Sequence, residues 1–306
     1  MAYQKEIPER ILKLKKEKMA VILAHNYQPP EVQDIADILG DSLALATEAM
    51  SSKAEVIILC GVNFMAETAK ILNPSKPVIH PEPAARCPMA DMVDIPFLKE
   101  MKARHPDAVT VSYVNTLAEI KAESDYCCTS GNAVKVIKYL KEKKVIFTPD
   151  KNLGLYVQRF VPDKEIILWP GFCAVHHNRI TVKKLEALKS VHPDAEVLVH
   201  PECTPEVIDY ADFTYSTHGM MEHAKKSAKK EFILGTEKEM AYRLSKDIPG
   251  KKFYAVGDAV CQNMKRITLE KVLASLETLS PEIKIPDEIM RKAKLPLDRM
   301  VEIGRG

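Results

Sequence analysis

At 306 residues, with 46% apolar and 28% charged residues, the chain has the make-up of an ordinary soluble globular protein, long enough for one large or two to three small domains. A net charge of +2 carries no nucleic-acid or membrane footprint, and no apolar run approaches the roughly 18 residues that span a bilayer. The charged stretch MAYQKEIPERILKLKKEK has no signal-peptide core, so a cytoplasmic location is expected, and seven cysteines then read as buried apolar residues or metal ligands rather than disulfides.

Ile7, Ile11, Leu12 and Leu14 stand among charges in an opening helix over 5–18. A repeat follows, in VILAHNYQPPEVQDIAD (21–37), VTVSYVNTLAEIKAESD (109–125) and EVLVHPECTPEVIDYAD (196–212). Set on the polar residue that ends each apolar run (His25, Tyr113, His200), the copies share a Glu (Glu31, Glu119, Glu206) and an Asp (Asp37, Asp125, Asp212). Each copy predicts the same order: strand, short helix, short strand, helix, strand, helix, strand. The first strands are Ala20–Ala24, Ala108–Ser112 and Glu196–Val199; the third are Val56–Leu59, Val145–Phe147 and Glu231–Leu234; the fourth are Pro77–Ile79, Glu165–Leu168 and Lys252–Ala255. Such alternation means parallel sheets. The expected fold is α/β: three homologous three-layer α/β/α domains over 18–90, 91–177 and 178–263, arranged with pseudo-threefold symmetry around a central site. The opening helix (1–17) and a Pro-punctuated tail (264–306, with a helix at Thr268–Leu279) pack outside.

Loops after parallel strands emerge at one edge, where α/β proteins bind ligands. Nine loops, three per repeat, should therefore meet at one cavity. A cysteine follows each fourth strand: Cys87, Cys173 and Cys261. Three thiolates at one point need a metal. An iron–sulfur cluster suits them, and three ligands would leave one iron of a [4Fe–4S] cluster open. Zinc held with His176 or His177 as fourth ligand competes, as does plain core packing. Cys60, Cys127, Cys128 and Cys203 lack the repeat correlation and read as packing residues. Ser42, Ser130 and Ser216-Thr217 stand at helix starts, where hydroxyls and free N–H groups bind phosphate or carboxylate or simply cap the helix. His25 with Tyr27, Tyr113 with Asn115 and His200 with Glu202 are the inward-facing candidates for acid–base work. Burial is expected to raise the Glu202 pKa.

At AHNYQPPEVQDIAD, YVNT with a following TSGN, HPEC, YSTHGM and CQNMKRITLEKV, the chain resembles the quinolinate synthase (NadA) family over almost its whole length. The resemblance implies one [4Fe–4S] cluster per chain on Cys87, Cys173 and Cys261. It implies condensation of iminoaspartate with dihydroxyacetone phosphate to quinolinate, phosphate and two waters in NAD biosynthesis. His25, Ser42, Tyr113, Asn115, Ser130, His200, Glu202 and Thr217 match substrate-contacting positions, and Tyr27 a catalytic one. Tyr113, His200 and Glu202 join Tyr27 as proton-transfer candidates. The unstable substrate must come from an aspartate oxidase or dehydrogenase. Longer bacterial members carry extra cysteines flanking the third ligand; here Asp258 and Met264 stand there, so no regulatory disulfide is expected. A zinc lyase or hydrolase and a non-catalytic phospho-ligand binder are the alternatives.

Overall fold

The computed structural model describes residues 2–304, with side chains from Glu6 onward; the expected outer bounds at Met1, Arg305 and Gly306 lie outside the described residues. Twelve strands form three four-stranded parallel sheets. The first sheet holds β1 (Ala20–His25), β2 (Ile38–Gly40), β3 (Val56–Cys60) and β4 (Val78–Ile79). The second holds β5 (Ala108–Tyr113), β6 (Tyr126–Cys128), β7 (Lys144–Thr148) and β8 (Glu165–Leu168). The third holds β9 (Glu196–Val199), β10 (Phe213–Thr214), β11 (Glu231–Gly235) and β12 (Lys252–Ala255). Spatial order is the same in each: second strand, first, third, fourth. The expected succession of strands along the chain and their parallel direction are therefore observed.

The strands are nearly continuous apolar runs because both faces of each sheet are covered. Alternate residues go to different cores. Leu23, Ile57, Leu59, Val111, Phe147, Leu198 and Leu234 enter one core shared by all three sheets. Ile22 and Ile58, Ile146, and Val197 and Ile233 enter three separate outer cores. Truncating a fully buried residue such as Ile58 to Ala should cost about 2–5 kcal/mol.

The two repeated acids have structural work. The side chains of Asp37, Asp125 and Asp212 accept from the backbone N–H of Ile22, Thr110 and Val197, each at 2.8 Å. Their own N–H groups donate to the carbonyls of those same three residues at 2.9–3.0 Å. Each Asp thus pins the chain leaving a short helix to the first strand of its sheet. Glu31, Glu119 and Glu206 sit in the first turns of those short helices, where a negative charge faces the positive end of the dipole.

The helix before the first strand is also repeated. Ala2–Glu17 was legible; its counterparts Ile95–Arg104 and Val182–Val191 were not anticipated. Short helical turns after each cysteine, Ala90–Met92, Ala174–Arg179 and Met264–Arg266, were likewise unforeseen. In the tail, Thr268 caps a helix over Leu269–Thr278, which packs with the N-terminal helix on the first sheet's outer core. The last helix, Asp287–Ile303, lies against Ala118–Ala122 and β6, and buries Ala293, Leu297 and Met300 in the shared core. No helix among the described residues is long and apolar enough to cross a membrane.

Candidate active site

One cavity is lined by residues of all three repeats. It receives the first-strand ends: His25 and Tyr27, Tyr113 and Asn115, His200 and Glu202. It also receives Ser42, Ser130 and Thr217 after the second strands, and Cys87, Cys173 and Cys261 after the fourth. Ser216 is a predicted site residue that is not in the lining. Its hydroxyl accepts from Gly219 N–H at 3.2 Å as the helix cap, which is the plain alternative weighed for it. His177 is not in the lining either; its Nδ1 meets Asn152 Nδ2 at 3.0 Å and its ring packs on Phe172.

The histidines are set up as neutral donors. Tyr27 N–H donates to His25 Nδ1 at 3.2 Å, and Glu202 N–H donates to His200 Nδ1 at 3.3 Å. The same two-residue turn in two repeats thus leaves the Nε2 position of each ring to carry the proton. His200 Nε2 lies 3.1 Å from Ser130 Oγ. Burial lowers the His25 pKa to about 4, against the pull of Asp41 and Glu202, and lowers the His200 pKa to about 3, against that of Glu202.

Glu202 behaves differently from expectation. Burial alone would raise its pKa, as anticipated, but His176 and His200 beside it and the hydrogen bonds from His176 and Tyr113 outweigh burial and hold the carboxyl well below the usual range. Its Oε2 lies 2.8 Å from His176 Nδ1, and its Oε1 accepts from Tyr113 Oη at 2.5 Å. Glu202 is therefore a hydrogen-bonded carboxylate, not a raised acid. Burial, together with that carboxylate, raises the Tyr27 and Tyr113 pKa values well above 10, so both remain donors.

Two residues that sequence reasoning left aside complete a chain of hydrogen bonds. Tyr27 Oη lies 2.6 Å from Thr236 Oγ1, and Thr236 Oγ1 lies 3.0 Å from His176 Nε2. The path runs Tyr27, Thr236, His176, Glu202, Tyr113, and crosses all three repeats. His176 had been considered only as a zinc ligand. Thr236 follows β11, a third strand, and the loops after third strands had been given no role. Asn26, between His25 and Tyr27, was also passed over; its Nδ2 donates to Thr217 Oγ1 at 3.0 Å, tying the first repeat to the third. Asp41 caps the helix at Ser42 through Ala44 N–H and lines the cavity.

Asn115 Oδ1 is buried at the cavity with no hydrogen-bond partner among the described residues, an acceptor suited to a ligand donor. Its loop is held by the buried Lys121, whose Nζ donates to Val114 O at 2.9 Å and to Thr116 O.

All seven cysteines are free thiols. Cys60, Cys127, Cys128 and Cys203 are fully buried, in keeping with packing roles, and Cys203 Sγ donates to Gly235 O. The three cavity cysteines fit a metal. Burial pushes the Cys87 thiol up to about 12 and raises Cys173 and Cys261 as well, so a cation is what would keep them as thiolates. Backbone N–H groups of Ala90, His176 and Met264, each three residues on, act the other way at the sulfurs. Ligand atoms of Cys173, His176 and Glu202 also lie within 4.8 Å of one another, close enough to hold a metal ion.

The family model described as "Quinolinate synthetase A protein" matches residues 9–302. A protein of Methanosarcina acetivorans named quinolinate synthase 2 is 51% identical over 299 residues, covering 97% of this chain and 96% of that one. Quinolinate synthase of Geotalea uraniireducens is 51% identical over 304 residues, 99% of each chain. That of Aquifex aeolicus is 48% identical over 306 residues, 98% of this chain and 95% of its own. The family match runs from the opening helix to the last one and so spans every motif that lines the cavity. By this measure the chain belongs to the quinolinate synthetase A family.

Proposed function

We propose that this protein is a cytoplasmic quinolinate synthase of NAD biosynthesis. It condenses iminoaspartate with dihydroxyacetone phosphate to give quinolinate, phosphate and two waters. The observation that carries this reading, beside the family, is that three cysteines from three repeats meet at one cavity walled by histidines, hydroxyls and the buried carboxyl groups of Asp41, Glu202 and Glu237.

Cys87, Cys173 and Cys261 would hold a [4Fe–4S] cluster. When bound, it supplies a Lewis acid that assists loss of hydroxyl as water. The chain's own residues do the rest. The carboxylates of iminoaspartate and the phosphate of the triose accept from His25, His200 and the hydroxyls of Ser42, Ser130 and Thr217. Asn115 Oδ1 takes a donor from the substrate. Carbon–carbon bond formation and ring closure on nitrogen require protons to leave carbon and nitrogen and to reach departing oxygens. Glu202, held ionised, anchors His176, and His176, Thr236 and Tyr27 relay protons along the chain of hydrogen bonds, with Tyr113 holding the carboxylate in place. Most of the polar side chains that would meet the substrate are buried, which limits the water that could hydrolyse an imine. An aspartate oxidase or dehydrogenase would supply the iminoaspartate.

The test is an anaerobic purification, with iron, sulfide and zinc measured and quinolinate assayed in the same sample. Iron with sulfide and quinolinate formed from the two substrates are expected. One zinc and no iron would favour the competing reading, a zinc enzyme of another lyase or hydrolase class, for which the closeness of His176 to Cys173 Sγ (3.3 Å) is the favouring observation.

A further inference from the structure

The loops after the third strands share a contact that no motif explains. Cys87 N–H donates to Asn63 Oδ1 at 3.3 Å, Cys173 N–H to Asp150 Oδ2 at 3.2 Å, and Cys261 N–H to Glu237 Oε1 at 3.2 Å. The acceptor stands 24, 23 and 24 residues before its cysteine. A second bond recurs beside it. The N–H groups of Asn63, Lys151 and Lys238 donate to Ala85 O, Gly171 O and Ala259 O, each at 2.9 Å and each two residues before the cysteine. A third bond closes the turn after it: the cysteine carbonyls accept from Asp91, His177 and Lys265 N–H at 3.3, 2.8 and 3.3 Å.

Three different side chains thus do one job in three repeats, and all three are buried. Asp150 and Glu237 each work with both oxygens. Asp150 Oδ1 accepts from Asn152 and Leu153 N–H at the start of the next helix. Glu237 Oε2 accepts from Glu239 N–H at 2.9 Å, while its Oε1 also meets Lys265 Nζ at 2.8 Å. Lys265 in turn donates to Tyr27 O at 2.6 Å. The loops come close: a side chain on Gly171 would sit 2.5 Å from Pro149 O. Fixing the cysteine N–H fixes the backbone that aims the sulfur, and groups that orient metal ligands commonly govern how firmly the metal is held.

We propose that Asn63, Asp150 and Glu237 are the positioning residues of the metal site, one per cysteine, holding three sulfurs convergent before the metal arrives. The proposal rests on the reading of Cys87, Cys173 and Cys261 as metal ligands.

It is tested by metal release. Wild type, Asn63→Ala, Glu237→Ala, Asn63→Asp and Glu237→Gln are reconstituted anaerobically with ferrous iron and sulfide, then challenged with a ferrous chelator. Thermal unfolding of each metal-free protein is followed in parallel. The alanine variants should lose metal about tenfold or more faster, while the two variants that keep an oxygen acceptor stay within about twofold of wild type, with metal-free midpoints unchanged in the latter pair. Release at the wild-type rate from the alanine variants overturns the proposal, as does release from the conservative variants as fast as from the alanine ones. Should wild type hold zinc rather than iron, the cluster reading fails, and the same comparison scored on zinc release still decides this proposal. A wild type that holds no metal overturns both.

Discussion

His176 and Glu202 come from different repeats and meet with Nδ1 2.8 Å from Oε2, both side chains almost wholly buried. The pair keeps Glu202 ionised where burial alone would protonate it. It also makes that carboxylate the end of a path that reaches Tyr27 through Thr236. The proton path proposed for this cavity therefore depends on a contact between repeats.

Glu202→Gln keeps the shape of the side chain and removes the charge that anchors His176. Turnover should fall by about 10²–10⁴-fold with iron and sulfide per chain unchanged. Near-normal turnover in a fully loaded variant removes Glu202 from the mechanism.

Thr236→Val deletes the hydroxyl between Tyr27 and His176 at almost constant volume. We expect kcat to drop by about 10²-fold with KM little altered, and Thr236→Ser to restore most of it. Steady-state kinetics on loaded enzyme decide this, and an equal loss in both variants argues for packing rather than proton transfer.

Cys87→Ala, Cys173→Ala and Cys261→Ala should each abolish metal retention and quinolinate formation together. Cys60→Ala, at a buried strand end in the first repeat's outer core, should leave metal content as in wild type. Metal analysis after anaerobic reconstitution separates the two groups.

His25 and His200 predict an acid limb in the stability of the metal-free protein. Both rings titrate near 6.5 when unfolded, against about 4 and about 3 in the folded cavity. Between those values and 6.5 the unfolded chain binds protons that the folded chain refuses, so stability falls as pH drops through this window. At ~1.4 kcal/mol per unit, His25 alone contributes a loss of about 3 kcal/mol by pH 4. Urea midpoints at pH 7, 5 and 4 should show a flatter acid limb for His25→Gln than for wild type. Parallel limbs would mean that His25 takes up its proton while folded.

Asp212→Ala removes the acceptor for Val197 N–H and should destabilise the third repeat by about 1–3 kcal/mol, with metal content unaffected. Denaturant unfolding checks the first outcome and metal analysis the second.

Much of the fold was legible because its causes are local. Short apolar runs, amphipathic stretches between them and a repeat in three copies specify parallel strands and helices, and equivalent copies put their loops at equivalent places. The helices Ile95–Arg104 and Val182–Val191 are not legible in the same way, because they bury only Leu98 and Met101, and Leu185, and so carry little apolar periodicity. Ser216 illustrates a limit of another kind. A hydroxyl at a helix start caps or binds ligand with the same sequence signature, and only its distance to Gly219 N–H decides between them.

The stretch from Val21 to Asp37 and its two echoes determined by themselves that this is a repeated α/β protein, and the spacing of Cys87, Cys173 and Cys261 determined which cysteines to set apart. Tertiary structure decided what those residues meet. The contacts of Thr236 with His176 and of Asn26 with Thr217 form across repeats, and Asn63, Asp150 and Glu237 share no residue type that spacing could have flagged. The sign of the Glu202 shift was decided there too. Burial is a property that one apolar stretch can announce, but the field that overcomes it comes from two histidines, one of them 26 residues away in the chain and 2.8 Å away in space.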